Sequence, residues 1–222
     1  MIDTKRGFTI IELVIVIVII AILASIGTLA FTNVQKWSRD QAREQDTRQW
    51  ATTFNTYKSR FIVWPVVSST DGQSGVKTIC LGTPTSGNGR CVKYGGSSAQ
   101  YISITGSDAI DFNAVGTEVA KIGIPPTNNG AVTNGAYAGP FLYEWRKTSG
   151  SVITLTAAFI NFFENSTCPS GLLTIAQIKS QYPNSSDPAT YTKLDTLMTG
   201  VPSGVYPCGI VNTLSYDPTT SI

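Results

Sequence analysis

The chain has 222 residues, of which 42% are apolar and 14% are charged, and its formal net charge is +2. That length can bury one core of about 150 residues, or two small ones. The low net charge argues against a nucleic-acid binder held by bulk charge. The absence of histidine excludes Ser-His and Cys-His catalysis and His-containing zinc sites.

The first element in the chain is an apolar segment long enough to cross a membrane. Between Phe8 and Val34 the only ionisable side chain is Glu12. About 27 residues of helix rise about 40 Å, which exceeds the roughly 20 residues that a bilayer requires. A lone strand in lipid would leave its backbone groups unpaired, so we expect a membrane helix. A secretory signal peptide is the alternative, because Lys5 and Arg6 fit its charged start. However, the apolar run is longer than the apolar region of a signal peptide, and no clear small-x-small cleavage site follows it.

The helix is expected to continue beyond the membrane as an amphipathic segment. Four aromatic side chains recur at helical spacing and form one stripe: Trp50, Phe54, Tyr57 and Phe61. Opposite charges four residues apart are predicted to pair on the other faces: Lys36 with Asp40, and Glu44 with Arg48. We therefore predict one helix from Phe8 to about Phe61, ended near Pro65.

Glu12 lies a few residues inside the apolar segment, where an ionised carboxylate is unfavourable. One interpretation places it at the membrane interface, where its side chain reaches the headgroups. The other requires a cationic partner, and Lys5 and Arg6 are too near the headgroups to be buried with it. A cut after Gly7 would free the α-amino group of Phe8, whose ordinary pKa is near 8. The amine of one chain can then pair with Glu12 of the next, which fixes the register between subunits.

Residues 5–13 carry a motif ahead of the apolar run, Lys-Arg-Gly-Phe-Thr-Ile-Ile-Glu-Leu. A short basic leader followed by Gly, Phe, Thr and Glu at these offsets resembles the class III signal of type IV pilins and type II secretion pseudopilins. The resemblance implies that a prepilin peptidase cuts after Gly7 and methylates the new N-terminal Phe8. It also implies that Glu12 neutralises the amine of a neighbouring subunit in a filament. It covers about the first 30 residues directly and says little about residues 65–222.

The orientation of the membrane segment follows from the resemblance rather than from charge. The basic residues after the apolar run outnumber Lys5 and Arg6 before it, so the positive-inside count alone would place the leader outside. These later residues are Lys36, Arg39, Arg43 and Arg48. We place the leader in the cytoplasm, because the resemblance requires it and because the cysteines favour an oxidising exterior.

Residues beyond the helix show strand signals at intervals. Short β-rich runs are present at Val76–Leu81, Cys91–Tyr94 and Tyr101–Thr105. The clearest pattern is a hairpin, with strands at 141–146 and 152–163 and a turn at 147–150. No βαβ alternation is present, so we predict an antiparallel sheet whose apolar face packs on the aromatic stripe. The predicted fold class is α+β, a long N-terminal spine helix packed on an antiparallel β-sheet, and the resemblance implies the same shape.

Two later helices are predicted between Cys168 and Cys208. One spans about Leu172–Gln181. The other spans about residues 187–200, with Asp187 as its N-cap and a proline at the first helical position.

The chain has four cysteines, Cys80, Cys91, Cys168 and Cys208. None of them form a Cys-x-x-Cys pair, so their spacing does not fit zinc sites or thioredoxin-type redox sites. An even number in an exported chain favours two disulfides, with three connectivities open. We favour sequential pairing, in which one bridge brackets residues 81–90. The other closes residues 168–208, which resembles the disulfide-closed C-terminal region of many pilins.

Candidate catalytic patterns are weak. One series mimics the order of elements in penicillin-recognising enzymes: Ser74-x-x-Lys77, Ser107-Asp108 and Lys147-Thr148-Ser149-Gly150. Residue 109 is alanine where that series needs asparagine, and its last element fits a hairpin turn. No carboxylate set has the calcium-loop pattern, and the glycosylation sequons at Asn165 and Asn184 are interpreted as chance matches. We predict no enzyme activity, catalytic residue, cofactor or metal.

The sequence thus predicts a structural subunit of a type IV pilus or pilus-like filament. Its segments are a cytoplasmic leader (1–7), a transmembrane or filament-core half of the spine helix (8–34), an amphipathic half (35–64) and an extracytoplasmic β-rich domain (65–222). Expected partners are further copies of the chain, the prepilin peptidase, an assembly platform, the cytoplasmic membrane and a surface or host ligand, with no specific nucleic acid. We expect the precursor in the cytoplasmic membrane and the product in an extracellular pilus.

Three alternatives remain. Within the family they are a pseudopilin of a type II secretion or DNA-uptake system, and a minor pilin. Outside it, the alternative is a bitopic membrane-anchored binding domain that never polymerises.

Overall fold

The computed structural model divides the chain into two compact units, Met1–Ser38 and Arg39–Ile222. The residues that it describes are 9–61, 75–81, 90–94, 100–103, 119–123, 140–181, 194–195, 198–199, 201 and 203–216. The leader and the predicted domain boundary near residue 65 lie outside these ranges.

Helix α1 spans Ile10–Phe61 as one element of 52 residues. The predicted long helix is therefore confirmed, although its predicted first residue, Phe8, lies outside the described part. No proline interrupts the segment, and Lys58 and Arg60 lie in the last turn, where positive charge favours the negative end of the helix dipole. β-Branched residues fill much of the first half, so intrinsic propensity alone does not explain the helix there. In lipid, the need to pair every backbone group internally would enforce it.

Beyond α1, the described part of the second unit contains seven strands and one short helix with defined ends, and residues 119–120, 194–195 and 198 are also helical. The strands and the short helix are β1 (Gly75–Cys80), β2 (Arg90–Tyr94), β3 (Gln100–Ser103), β4 (Phe141–Ser149), β5 (Val152–Phe163), β6 (Leu173–Thr174), α2 (Ile175–Gln181) and β7 (Tyr206–Tyr216). Five strands form one sheet in the order β1-β4-β5-β7-β6, with every neighbouring pair antiparallel. Strands β2 and β3 form a separate antiparallel pair. The predicted α+β class with an antiparallel sheet is confirmed.

The two faces of the sheet are buried by different elements. Side chains alternate between the faces along each strand, and the register pairs Leu142 with Phe159 across β4 and β5. Phe159 packs against Phe54 of α1, with the ring centroids 5.0 Å apart. The other face forms a core cluster with α2 and later segments, made of Phe141, Tyr143, Trp145, Ala158, Ile160, Phe162, Ile178, Leu194 and Val205. The sheet thus has an apolar layer on both sides, which explains why β5 is an almost continuous apolar run.

The hairpin is confirmed, but its predicted turn at residues 147–150 is wrong. Residues 147–149 continue β4, and Ser149 pairs directly with Val152. The turn therefore consists of Gly150 and Ser151. Gly150 has a φ of 63°, in the left-handed region that two-residue hairpin turns require and that glycine adopts without steric cost.

Two further boundaries differ from the prediction. The helix expected from Leu172 begins only at Ile175, because Leu173 and Thr174 pair with β7 as the edge strand β6. Most of the helix predicted over 187–200 lies outside the described residues, although Leu194 and Asp195 within it are helical. Strand β7 itself has no counterpart in the sequence prediction.

Candidate functional site

The start of α1 is organised around Glu12 and Thr9. The Thr9 backbone N–H donates to Glu12 Oε2 at 2.9 Å, and the Thr9 hydroxyl donates to the same oxygen at 2.7 Å. The Glu12 N–H in turn approaches Thr9 Oγ1 at 3.3 Å. This reciprocal arrangement is a capping box, in which two backbone donors that the helix leaves unpaired are satisfied by side chains. The sequence prediction assigned Glu12 a role between subunits and missed this local role.

The large side chains around Glu12 are apolar and exposed. From Ile10 to Ile26 the large apolar side chains are between 45% and 86% exposed. By length and composition, α1 qualifies as a membrane-crossing helix. No described lysine or arginine forms an ion pair with Glu12. Any cation that pairs with this carboxylate therefore comes from outside the described part of the chain.

The predicted cleavage and methylation residues, Gly7 and Phe8, lie outside the described residues. The described chain begins at Thr9, immediately after them. Their roles remain those that the motif implies.

The aromatic stripe lies where α1 meets the sheet. Trp50, Phe54 and Tyr57 are buried, and Phe61 is partly buried. Polar contacts accompany this packing: Asn212 Nδ2 of β7 donates to the Ala51 carbonyl at 3.4 Å, and Lys58 Nζ donates to the Thr213 carbonyl at 3.0 Å. Lys121 lies over the Phe61 ring, 5.7 Å from its centroid.

A charged cluster that the sequence did not predict binds α1 to the end of β5. We call Arg39, Asp40, Arg43, Glu164 and Asn165 the Asp40–Glu164 clasp. Arg39 donates from Nε to Glu164 Oε1 at 2.7 Å and from Nη2 to Oε2 at 2.6 Å, the parallel two-bond geometry that makes arginine–carboxylate pairs strong. Arg43 Nη1 lies 3.2 Å from both Asp40 Oδ1 and Glu164 Oε1. The two arginines and two carboxylates therefore balance in charge.

Asp40 is only 3% exposed and caps the backbone that follows β5. Its carboxylate accepts the N–H of Glu164 at 2.9 Å and the N–H of Asn165 at 3.0 Å. It also accepts Asn165 Nδ2 at 2.6 Å. The predicted Lys36–Asp40 pair is wrong, because these closer donors and Arg43 use the Asp40 oxygens. The predicted Glu44–Arg48 pair is present at 2.9 Å.

Electrostatics in the clasp favour the ionised form of Glu164. Burial by itself would raise the pKa of this carboxyl, but the hydrogen bond from Arg39 and the positive charges of Arg43 and Arg39 outweigh burial. The pKa of Glu164 consequently lies below its ordinary value. In the unfolded chain these partners are absent, so folding is coupled to the loss of a proton from Glu164 in the acidic range.

Cys168 and Cys208, which are 40 positions apart in the chain, form a disulfide with their Cα atoms 5.7 Å apart. In a chain-entropy model, a loop of that length gains about 4 kcal/mol of stability from closure. Cys80 ends β1 and Cys91 lies in β2, but their side chains are outside the described part. Their pairing stays a prediction.

The residues of the penicillin-enzyme-like series are not brought together as a described site. Ser74, Ser107 and Asp108 lie outside the described residues, Lys77 belongs to β1, and residues 147–149 belong to β4. No group of three potential metal ligands occurs within the described ranges. An open groove of about 540 Å³ runs along α1 beside the Glu44–Arg48 pair and is otherwise lined by glutamine and threonine side chains.

The comparisons with known proteins bear on the N-terminal segment. Residues 3–28 match the family model described as the prokaryotic N-terminal methylation motif, the class III signal of type IV pilins and pseudopilins. No curated protein and no solved structure has significant similarity to the chain. The match covers Gly7, Phe8, Thr9 and Glu12 and ends before the second compact unit begins.

Proposed function

We propose that this chain is the structural subunit of a type IV pilus or pilus-like filament. Its N-terminal motif is that of a type IV pilin or pseudopilin precursor. In the proposed pathway a prepilin peptidase cuts after Gly7 and methylates Phe8, and Glu12 fixes the register between assembled subunits. The observation that carries the proposal is a carboxylate on an exposed apolar helix surface, without a cationic partner among the described residues.

The physical argument rests on what the apolar half of α1 requires. Its exposed side chains need either lipid or other protein to cover them. A carboxylate in such surroundings is tolerated when a positive charge and hydrogen bonds accompany it. The α-amine of Phe8 that cleavage would release is such a charge, and a neighbouring subunit can supply it. Self-association would then satisfy the apolar surface and the carboxylate together.

The disulfide of the second unit supports a location outside the cytoplasm. The Cys168–Cys208 disulfide is typical of chains exposed to an oxidising compartment. We propose that the precursor is held in the cytoplasmic membrane with its leader inside. The processed subunit then passes to an assembly platform and into an extracellular filament. Its expected partners are further copies of the chain, the prepilin peptidase and that platform.

The test compares three residues at position 12. Glu12→Gln keeps the capping-box geometry, because glutamine also serves at this position of the motif, but it removes the charge. Glu12→Ala removes both, and Ile11→Ala is the matched control on the neighbouring apolar surface. We expect both Glu12 variants to insert and to be cleaved, while the yield of sheared surface filaments falls to background. Ile11→Ala should assemble.

Mass spectrometry of the sheared filaments provides the second measurement. The proposal expects a dominant chain that begins with methylated Phe8. Normal filament yield from Glu12→Gln would contradict the electrostatic role and reduce Glu12 to a helix cap. Filaments made of chains with intact leaders would contradict the processing step.

The same experiments separate the alternatives. A bitopic anchored binding domain would keep its surface display in every Glu12 variant and would form no filament. A pseudopilin or minor pilin would be processed at Gly7 but would make up a small fraction of any sheared filament.

A further inference from the structure

The exposed apolar surface of α1 ends at Trp37. Phe31, Val34 and Trp37 are each at least 60% exposed. In the part of α1 after Trp37, which is described throughout, no large hydrophobic side chain is exposed. Trp50 and Trp145 are 0% and 5% exposed, whereas Trp37 is 61% exposed.

The residue before Trp37 in the chain, Lys36, carries a positive charge. Lys36 is exposed and makes no ion pair with any described residue. The arginines that follow differ from it, because Arg39 and Arg43 bind Glu164. Lys36 is therefore available to a partner outside the described chain.

The distance along the helix places this pair at the far side of a bilayer. From Glu12 to Asn33, the first side-chain amide after the apolar segment, the helix rises about 32 Å. The hydrocarbon core of a bilayer is about 30 Å thick, and the headgroup layers bring the total to about 40–45 Å. Trp37 lies about 6 Å beyond Asn33, within the thickness of one headgroup layer.

We infer that Lys36 and Trp37 anchor the precursor at the outer surface of the cytoplasmic membrane. The indole lies among the glycerol and carbonyl groups, as tryptophan does at membrane interfaces, and the Lys36 ammonium binds the phosphate of an anionic lipid. The pair fixes how deeply α1 sits in the bilayer. This inference rests on the membrane-held precursor of the proposed function, but it does not depend on cleavage or polymerisation.

The observations favour lipid over a second copy of the chain as the partner of Trp37. The first side-chain amide after the apolar segment, Asn33, lies about one hydrocarbon thickness from Glu12, a spacing that matches the dimensions of a bilayer. The indole of Trp37 has an apolar ring and an N–H donor, which suits the boundary between hydrocarbon and headgroups. The Lys36 ammonium suits the layer of anionic phosphates next to it.

The test measures the depth of the residue-37 indole in the full-length precursor, reconstituted in vesicles of phosphatidylcholine and phosphatidylglycerol. Bromine atoms placed near the headgroups or deep in the acyl chains quench tryptophan emission at their own depth. Trp37→Phe gives the background from the other three tryptophans. We expect headgroup-proximal bromines to quench the emission that Trp37→Phe removes, and deep bromines to leave it unquenched.

Two matched variants calibrate the depth. In the Trp37→Phe background, Ile26→Trp moves the indole inward by about 16 Å on the same face of the helix and should shift quenching to the deep bromines. Gln41→Trp moves it outward by one helical turn and should abolish quenching by both lipids. Lys36→Gln should weaken headgroup-proximal quenching of Trp37 while Lys36→Arg retains it.

Several results would overturn the inference. In an inserted precursor, Trp37 emission that neither bromine position quenches would place the indole in water or in a contact between copies. Quenching mainly by deep bromines would place it in hydrocarbon, and equal quenching in Lys36→Gln and the unaltered chain would remove the lysine from the anchor. If filaments begin at Phe8 but Trp37 is unquenched in the precursor, the membrane anchor is refuted and the proposed filament function is not. A precursor that fails to enter vesicles would refute the membrane stage on which both proposals rest.

Discussion

The two compact units use apolar residues in opposite ways. In the first unit the large apolar side chains of α1 with a described exposure, from Ile10 to Ile26 and at Phe31, Val34 and Trp37, are exposed. In the second unit the aromatic residues of the same helix, such as Trp50 and Phe54, are fully buried. Burial of an apolar side chain stabilises a fold only where the chain itself provides the cover. The apolar core of the second unit is thus covered by that unit itself, whereas the exposed apolar side chains of the first unit gain no such stabilisation from the described residues.

The carboxylates of the two units follow the same division. Glu164 is held by Arg39 and Arg43 of its own chain. Glu12 is held by Thr9, a neutral residue, and has no cationic partner in the described ranges. The charge of Glu164 is balanced within the folded chain, whereas the proposed function assigns the balance of the Glu12 charge to assembly.

The largest expected difference between the two units comes from truncating one phenylalanine in each. Phe54 is 0% exposed and packs edge-on against Phe159, so Phe54→Ala should destabilise the second unit by about 3–5 kcal/mol. Phe31 belongs to the same helix but is 63% exposed, so Phe31→Ala should leave that unfolding free energy unchanged. Urea unfolding of the full chain in detergent micelles, followed by near-ultraviolet circular dichroism, measures both. Equal losses from the two variants would mean that the units do not differ in the way described.

Two glycines give a second, smaller contrast. A Cβ added at Gly209 in β7 would lie 2.5 Å from the Phe159 carbonyl oxygen, and backbone cannot yield as a flexible side chain does. Gly209→Ala should therefore cost about 1–3 kcal/mol, as overpacking in other cores does. A Cβ at Gly27 in the first unit meets no atom within 4 Å, so Gly27→Ala is the matched control. The same unfolding experiment would contradict the steric argument if Gly209→Ala were neutral.

The smallest expected effect concerns pH. Because the pKa of Glu164 is lowered in the folded chain, the clasp contributes its full stability above the ordinary carboxyl range. That stability is lost as the pH falls through the lower folded-state pKa, since the unfolded chain binds the proton first. Glu164→Gln should flatten this part of the stability–pH profile. Glu44→Gln, which alters the more exposed pair with Arg48, should leave it nearly unchanged, as surface pairs contribute little.

An unchanged acid slope in Glu164→Gln would show that other carboxylates control acid unfolding. Arg39→Lys separates the charge of Arg39 from its hydrogen-bond geometry, because lysine cannot reproduce the two parallel hydrogen bonds to Glu164. It should weaken the clasp at neutral pH while leaving a pH-dependent interaction in place.

The elements that were predicted well are those whose signals are local. The long apolar run and the aromatic stripe define α1 because helical spacing depends only on nearby residues. The hairpin was found for the same reason, although its turn was misplaced. Residues 147–149 resembled turn residues in composition, yet the pairing of β4 with β5 extends them as strand up to Gly150.

Strand β7 was missed because its own residues argue against it. It contains Pro207 and Gly209, which usually mark edges or irregularities in strands. Its place in the sheet comes from β5, which pairs with it along its whole length. On its other side β6 pairs with only two of its residues, so β7 is nearly an edge strand. That context tolerates a proline.

The N-terminal motif, the continuous helix and its aromatic stripe could be identified from residue spacing alone, because each depends on a short stretch of chain. Which charges meet depends instead on how the chain packs. Asp40 and Glu164 are 124 positions apart, and residue identity and spacing along α1 gave Asp40 a partner, Lys36, that the fold did not use. Closer donors at the end of β5 took its place, because a buried carboxylate is satisfied by whichever donors the packed chain brings within hydrogen-bonding distance.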